Sequence, residues 1–190
     1  FLMIRAGALI LIDLLLVAWE WNPLQPPHAV VSFELLTCLA IALLLLIPVR
    51  RLSDRALVTL TAALFVGYAA LLRLVPEAAL EKLPFPQRVL VTFDVNHPPV
   101  VTFPVLGWLG LMTIGMWAGR RIANGRWRGG APVLRMGLAF LALGIASRVT
   151  GLGRGPAWHP QQGLQALALM QKGPPALDYL TFNAGCGLLA

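Results

Sequence analysis

Charged side chains are scarce in this sequence of 190 residues, where Asp, Glu, Lys and Arg together make up 12%. Soluble globular domains carry about 25% charged residues, so this chain has roughly half of the usual share. Hydrophobic residues make up 58% of the sequence. This balance argues against a disordered chain and against a water-soluble domain, and it is typical of an integral membrane protein.

Metal ligands and thiol pairs are also few, with three histidines and two cysteines. The histidines, His28, His97 and His159, are scattered without the spacing of a metal site, so we predict no metal site. Cys38 and Cys186 stand in apolar runs and form no Cys-x-x-Cys motif. We therefore predict that both are buried free thiols.

Acidic residues are outnumbered by basic ones, 8 to 15, which gives a net charge of +7. The arginines concentrate in two loops, one from Arg50 to Arg55 and one from Arg120 to Arg135. Cytoplasmic loops of membrane proteins carry such an excess, so both loops are predicted to be cytoplasmic. The rule accounts for the basic charge, and we expect no nucleic-acid partner.

Long apolar runs fill most of the chain, and a helix needs about 20 mostly apolar residues to cross a bilayer. The runs predict an all-α, polytopic integral membrane bundle with five complete transmembrane helices and a truncated sixth. They form one transmembrane domain over residues 1–190, which we expect to be part of a longer chain because the first and last runs are cut. The runs extend from Ala6 to Trp21, Val30 to Val49, Ala56 to Val75, Val100 to Gly119, Val133 to Val149, and from Ala176 onward.

Charged residues within or beside these runs are the candidate functional groups, because ionisable side chains in a membrane usually face a cavity, a partner or a substrate path. Asp13 lies inside the first run. Asp13 could function in proton relay or substrate contact. Alternatively, it could have a structural role in an ion pair with Arg5 or Arg73. Arg148 and Lys172 flank a loop rich in Gly and Pro, where they either hold a carboxylate or phosphate or extend to lipid headgroups.

The fourth run carries a candidate helix-packing face. Gly107, Trp108 and Gly110 lie near its start, and Gly115 and Gly119 form a small-x-x-x-small pair near its end. Small residues let membrane helices approach each other closely. We therefore predict that this face packs against another helix.

Two stretches are more specific than composition. Residues 102–120 contain Phe103-Pro104-x-x-x-Trp108-x-Gly110, and residues 170–185 contain Lys172 just before a Pro-Pro pair that opens a helix. Together they resemble the transmembrane acyltransferases related to heparan-alpha-glucosaminide N-acetyltransferase, and the bacterial members in particular.

Two further segments match that family in order along the chain. The opening segment from Arg5 to Asp13 is similar to a family helix that carries an acid, and Arg148 precedes a Gly-rich turn. The sequence departs from the pattern at Gly107, where the family often has Pro, and at Gly173 and Ala176, where it prefers Tyr and Ser.

The resemblance implies transfer of an acyl group from cytoplasmic acyl-CoA to a sugar hydroxyl or amine on the far side of a bacterial inner membrane. Acyl-CoA would be a co-substrate, and no permanently bound cofactor is expected. Asp13, Arg148 and Lys172 are the expected substrate-binding residues. The catalytic histidine of the family matches no residue here, so the sequence identifies no catalytic base.

A non-catalytic accessory subunit of a larger membrane complex is the main alternative. It would keep the packing face of the fourth run and lack the chemistry, whereas an enzyme would bring Asp13, Arg148 and Lys172 to one cavity. A small transporter is a third reading, but the unbroken second and third runs argue against discontinuous helices. Expected partners are the lipid bilayer and either other membrane subunits or further copies of the chain.

Overall fold

The computed structural model describes residues 2–17, 32–94, 99–128, 130–152 and 177–189, and most of these residues are helical. In chain order the elements are α1 (Leu2–Ile12), a π-helical turn (Asp13–Val17), β1 (Ser32–Phe33), α2 (Leu35–Val49), α3 (Asp54–Leu74), α4 (Glu77–Glu81), α5 (Phe85–Val91), β2 (Val100–Val101), α6 (Val105–Ala123), α7 (Ala131–Thr150) and α8 (Leu177–Leu189).

The predicted helical class is confirmed, but the predicted five complete transmembrane helices are not. Among the described residues, two helices are long and apolar enough to cross a membrane, namely α3 and α7. They correspond to the third and fifth predicted runs. Helix α2 is apolar but spans 15 residues, fewer than a crossing needs.

Local features shorten the other runs. The second run loses its first residues because Ser32 and Phe33 form β1 and Glu34 is the N-cap of α2. The fourth run begins its helix after Pro104, and the last turn of that helix carries two arginines. In the first run the α-helix changes to a π-helical turn at Asp13.

The two candidate spans turn most of their apolar surface outward. Only 28% of the most apolar window of α3 and 22% of that of α7 is buried inside the protein. Val66 and Leu74 on α3, and Leu134 and Leu138 on α7, are each more than half exposed. The core helix of a soluble protein is mostly buried, so these outward faces fit contact with lipid hydrocarbon.

Helix α6 is central to the packing, because it contacts α2, α3, α5 and α8. Helix α1 packs on α2, and α7 packs on α8. One apolar cluster joins α2, α5 and α6 through residues such as Cys38, Val89 and Leu109. A second includes Phe65 of α3 and Leu180 of α8.

Two buried threonines link α3 to α6. The hydroxyl oxygens of Thr61 and Thr113 lie 2.9 Å apart. Each also lies 2.9 Å from a carbonyl oxygen of its own helix, that of Leu57 or of Gly110. Hydroxyl contacts of this kind are a common means of joining helices where water is scarce.

The closest helix contact is between α7 and α8, and it depends on glycines. A Cβ atom added at Gly144 would lie 2.8 Å from the backbone nitrogen of Phe182. A Cβ atom added at Gly185 would lie 2.8 Å from the carbonyl oxygen of Gly137. The two backbones therefore approach as closely as the absence of side chains allows.

The predicted packing face of α6 is partly in contact with its neighbours. Gly107 is buried, and a Cβ atom at Gly110 would meet Leu64 and Phe65 of α3 at 3.6 Å. For the Gly115–Gly119 pair, no atom lies within 4 Å of either Cβ position in the described part of the chain. A packing role for that pair stays a prediction.

The two cysteines differ. Cys38 is a buried free thiol, as predicted, and lies in the cluster between α2 and α6. Cys186 is exposed, so the prediction that it is buried was wrong. The face of α8 that meets α7 carries Ala184 and Gly185, which turns the next residue away from the contact.

The two arginine-rich loops meet at one end of the bundle, which we call the arginine end (Arg50 to Arg55 with Arg120 to Arg128). Arg120 donates hydrogen bonds to the carbonyl oxygens of Arg50 and Leu52. Asp54 lies 3.2 Å from Nε of Arg121 and 3.2 Å from a terminal nitrogen of Arg126. From their excess of arginine, both loops were predicted to lie on the same side of the membrane. The contacts show that the two loops lie at the same end of the bundle and touch each other.

Replacing Gly144 with Ala should destabilise the protein, because the new methyl group would overlap the backbone of Phe182. We expect a loss of about 1–3 kcal/mol, which is typical of overpacking at a close contact. Thermal unfolding in detergent micelles measures the effect. Gly115→Ala is the matched control, since nothing lies within 4 Å of its Cβ position; equal unfolding temperatures for the two variants would contradict the described α7–α8 contact.

Candidate functional site

Six charged residues lie at the end of the bundle opposite the arginine end. The N-termini of α2, α6 and α8 and the C-termini of α3 and α7 point to this end, because the chain alternates in direction between successive long helices. We call these residues the polar end: Asp13, Glu34, Arg88, Asp94, Arg148 and Asp178.

Asp13 caps the N-terminus of α2. Its Oδ2 atom accepts hydrogen bonds from the backbone amides of Glu34, at 3.2 Å, and Thr37, at 3.0 Å. The first amides of a helix have no acceptor within the helix, and an anion there also interacts favourably with the helix dipole. Glu34, the N-cap residue of α2, makes no side-chain capping bond. The carboxylate of Asp13, in the π-helical turn after α1, therefore caps α2 instead.

The second carboxylate oxygen of Asp13, Oδ1, takes no part in capping α2. Asp13 is fully buried, and its Oδ1 atom has no hydrogen-bond partner in the described structure. The buried hydroxyl oxygen of Thr37 also has none. Buried polar atoms are nearly always paired, so two unpaired atoms at one helix turn need an explanation.

A small β-structure supports this helix N-terminus. Strand β1, just before Glu34, pairs in parallel with β2, just before α6, with Ser32 opposite Val100. The hydroxyl of Thr102 then donates to Oε1 of Glu34 at 3.0 Å. The starts of α2 and α6 are thus joined by backbone and side-chain bonds.

Asp13 was predicted either to act in proton relay or substrate contact, or to form an ion pair with Arg5 or Arg73. Neither prediction describes its main contact, which is with the backbone of α2. Arg73, one of the two predicted ion-pair partners, instead donates to the carbonyl oxygen of Gly151 at 3.2 Å. The role as a cap for another helix was missed, because it depends on where α2 begins. A substrate contact at the remaining oxygen of Asp13 stays a prediction.

A buried ion pair between Arg88 and Asp94 was also missed by sequence reasoning. Arg88 lies in α5 and Asp94 follows it, and both side chains are almost completely buried. The backbone of Asp94 exchanges two hydrogen bonds with Val101, at 2.7 and 2.8 Å. The only sequence signal was the short spacing of opposite charges between two apolar segments. This pair anchors the segment before α6 to the bundle.

Arg148 is buried in the last turn of α7, where Ser147 is also buried. Asp178, at the start of the neighbouring α8, is buried as well and accepts a hydrogen bond from the amide of Tyr179 at 2.9 Å. Lys172, the other predicted cation, lies outside the described residues, as do the three histidines.

The predicted site residues divide between two parts of the polar end. Asp13 belongs to the α1–α2 pair and Arg148 to the α7–α8 pair, and α6 contacts α2 on one side and α8 on the other. Trp108, in the first turn of α6, lies between these parts. Its ring packs edge-on against Phe103 and Tyr179, with centroid distances of 5.9 and 6.3 Å. Among the described residues, none of the contacts given above joins Asp13 to Arg148. Joint binding of one substrate by these two residues stays a prediction.

In the described ranges, no group of three His, Cys, Asp or Glu residues is placed to hold a metal ion. What the polar end offers is carboxylates, guanidinium groups, hydroxyls and a helix N-terminus. These groups can bind and orient a polar organic molecule through hydrogen bonds.

The structure is a helical bundle with a basic end, a buried polar end and two helices that are long and apolar enough to cross a membrane. Residues 2–152 match the family model described as heparan-alpha-glucosaminide N-acetyltransferase, catalytic. The match covers most of the chain, so the protein belongs to this family and is acyltransferase-like, as the sequence resemblance indicated. No curated protein and no solved structure matches the chain.

Replacing Asp13 with Ala should destabilise the bundle, because two amides at the start of α2 would lose their acceptor. A lost N-cap costs about 1–2 kcal/mol. Asp13→Asn keeps an oxygen that can accept the same bonds, so it should retain most of the stability. Chemical denaturation in micelles compares the two variants, and equal losses would refute a capping role.

The Arg88–Asp94 pair can be tested by a double-mutant cycle. Removing one partner of a buried pair typically costs about 3–5 kcal/mol, since the other charge is left buried and uncompensated. We expect the double variant, with Ala at both positions, to lose less than the sum of the single losses. Arg55→Ala, an exposed arginine, is the control for general loss of charge; strictly additive losses would contradict the pairing.

Proposed function

We propose that this protein is an acyltransferase of the inner membrane of a bacterium, moving an acyl group from cytoplasmic acyl-CoA to a sugar hydroxyl or amine on the opposite side. The family match over residues 2–152 is the observation that carries this proposal. The separation of the arginine end from the polar end supports it, because a basic end is expected on the cytoplasmic side.

The chemistry requires three things of the protein. The acceptor must be oriented toward the thioester carbonyl, its proton must be removed, and the negative charge that develops on the carbonyl oxygen must be stabilised. The polar end offers buried carboxylates at Asp13 and Asp178 and a buried guanidinium at Arg148. In this proposal acyl-CoA enters from the arginine end as co-substrate, and the acceptor binds at the polar end.

Arg148 and Lys172 are the proposed contacts to the acceptor on the α7–α8 side. A guanidinium group buried in protein can hold two oxygen atoms of a ligand through its paired N–H groups. Its position in the last turn of α7, beside the N-terminus of α8, fits binding of a polar group at the open ends of two helices. Trp108 lies between the two parts of this end and combines a large apolar ring with a polar N–H group.

Acyl transfer can be measured with the purified protein in proteoliposomes. Radiolabelled acetyl-CoA is supplied on the side of the arginine end, and labelled product is counted for D-glucosamine and for methyl β-D-glucopyranoside. We expect transfer that depends on Arg148, with Arg148→Gln lowering kcat/KM for the acceptor by about tenfold or more, as loss of a charged hydrogen bond would. Lys82→Gln removes an exposed cation that is assigned to neither substrate, and it should retain activity.

Unfolding temperatures of both variants show whether a loss of activity is a loss of folding. If the wild-type protein transfers no acyl group to either acceptor, and is isolated with another membrane protein at fixed stoichiometry, the accessory-subunit reading replaces this proposal. If transfer occurs but Arg148→Gln matches the wild type, the proposed acceptor contact is wrong.

A further inference from the structure

The unpaired atoms beside the N-terminus of α2 point to a ligand. We infer that Oδ1 of Asp13 and the hydroxyl of Thr37 bind one neutral hydroxyl group of the acyl acceptor. This inference rests on the proposed function for the identity of the ligand as an acceptor. Its geometry rests on the described contacts alone.

The two atoms lie at the same turn at the start of α2. Oδ2 of Asp13 lies 3.0 Å from the backbone nitrogen of Thr37, and the unpaired hydroxyl is on the side chain of that same residue. Asp13 is fully buried and Thr37 is 2% exposed, so neither unpaired atom faces bulk solvent. An unpaired buried polar group destabilises the folded state, and a bound group that pairs with it would remove this cost.

Charge and donor count select the chemistry of that group. The carboxylate repels an anion, which excludes a phosphate or carboxylate group of a ligand. An ammonium group has three donors and no acceptor, so it would leave the hydroxyl proton of Thr37 without an acceptor. A hydroxyl group fits both atoms, because it donates to Oδ1 of Asp13 and accepts from the hydroxyl of Thr37.

The site is held in place before a ligand arrives. The π-helical turn begins at Asp13, and single π turns within helices are frequent at functional sites. Thr102 fixes Glu34 through a hydrogen bond of 3.0 Å, and β1 and β2 pair directly beside it. A site whose groups are already fixed loses little conformational freedom on binding.

Thr37→Val is the sharpest test, because valine has nearly the same shape and leaves the backbone amide of residue 37 bonded to Asp13. The full-length protein in nanodiscs is titrated with methyl β-D-glucopyranoside in the absence of acyl-CoA, and the Kd is measured by ligand-detected NMR. We expect Thr37→Val to weaken binding about fivefold to tenfold, the loss of one neutral hydrogen bond. Thr37→Ser, which keeps the hydroxyl, should bind within about twofold of the wild type by the same reasoning.

Stability separates a binding role from a structural one. Thr37→Val removes an unpaired buried hydroxyl, so its unfolding temperature without ligand should be at least that of the wild type. Asp13→Asn retains an acceptor for the two amides but presents an NH2 group where Oδ1 was. It should therefore fold and bind the glucoside about tenfold or more weakly.

An unchanged Kd in Thr37→Val would overturn the inference, as would tighter binding of the amine analogue methyl 2-amino-2-deoxy-β-D-glucopyranoside through Asp13. Because binding is measured without acyl-CoA, it is independent of turnover. Binding that depends on Thr37 without any acyl transfer would reject the proposed function and leave the hydroxyl site standing. Acyl transfer with a KM unaffected by Thr37→Val would do the reverse.

Discussion

The capping of α2 from both sides is the interaction on which the rest of the structure depends. This helix has 15 residues, so it is about 22 Å long, while the hydrocarbon core of a bilayer is about 30 Å thick. If this helix lies within the bilayer, at least one of its ends is where water is scarce and unpaired backbone groups are costly. Asp13, in the π-helical turn after α1, accepts hydrogen bonds from two amides at the N-terminus, and Arg120 of α6 donates to carbonyl oxygens just beyond the C-terminus. An anion at the first end and a cation at the second also match the helix dipole.

This capping positions the candidate site. Because Asp13 must reach the start of α2, α1 is fixed at the polar end, and the pairing of β1 with β2 brings the start of α6 to the same place. One oxygen of the carboxylate holds the fold together and leaves the other available. The same side chain thus serves stability and, in our proposal, recognition of the acceptor. On the far side of α6, the α7–α8 pair carries Arg148 and Asp178 to the same end of the bundle.

Sequence reasoning succeeded where local pattern decides the structure. Helices α3 and α7 follow from continuous apolar stretches, and the loops around Arg50 and Arg120 were assigned to one side by their charge. It failed where distant contacts decide. Ser32 and Phe33 fall inside the predicted second run, but they form a strand because β2 lies beside them. The cap made by Asp13, the Arg88–Asp94 pair and the contact at Gly144 all join segments whose distance in space no local pattern reveals.

Hydrogen exchange of the first amides of α2, in protein reconstituted in lipid nanodiscs, tests the central claim most directly. These amides precede the first bond within the helix, from the amide of Cys38 to the carbonyl of Glu34, so in an uncapped helix they exchange readily. We predict that the amides of Glu34 and Thr37 exchange as slowly as the amide of Ala42 in the middle of the helix. Exchange at the rate of an unprotected amide would contradict the capping by Asp13 and the site built on it.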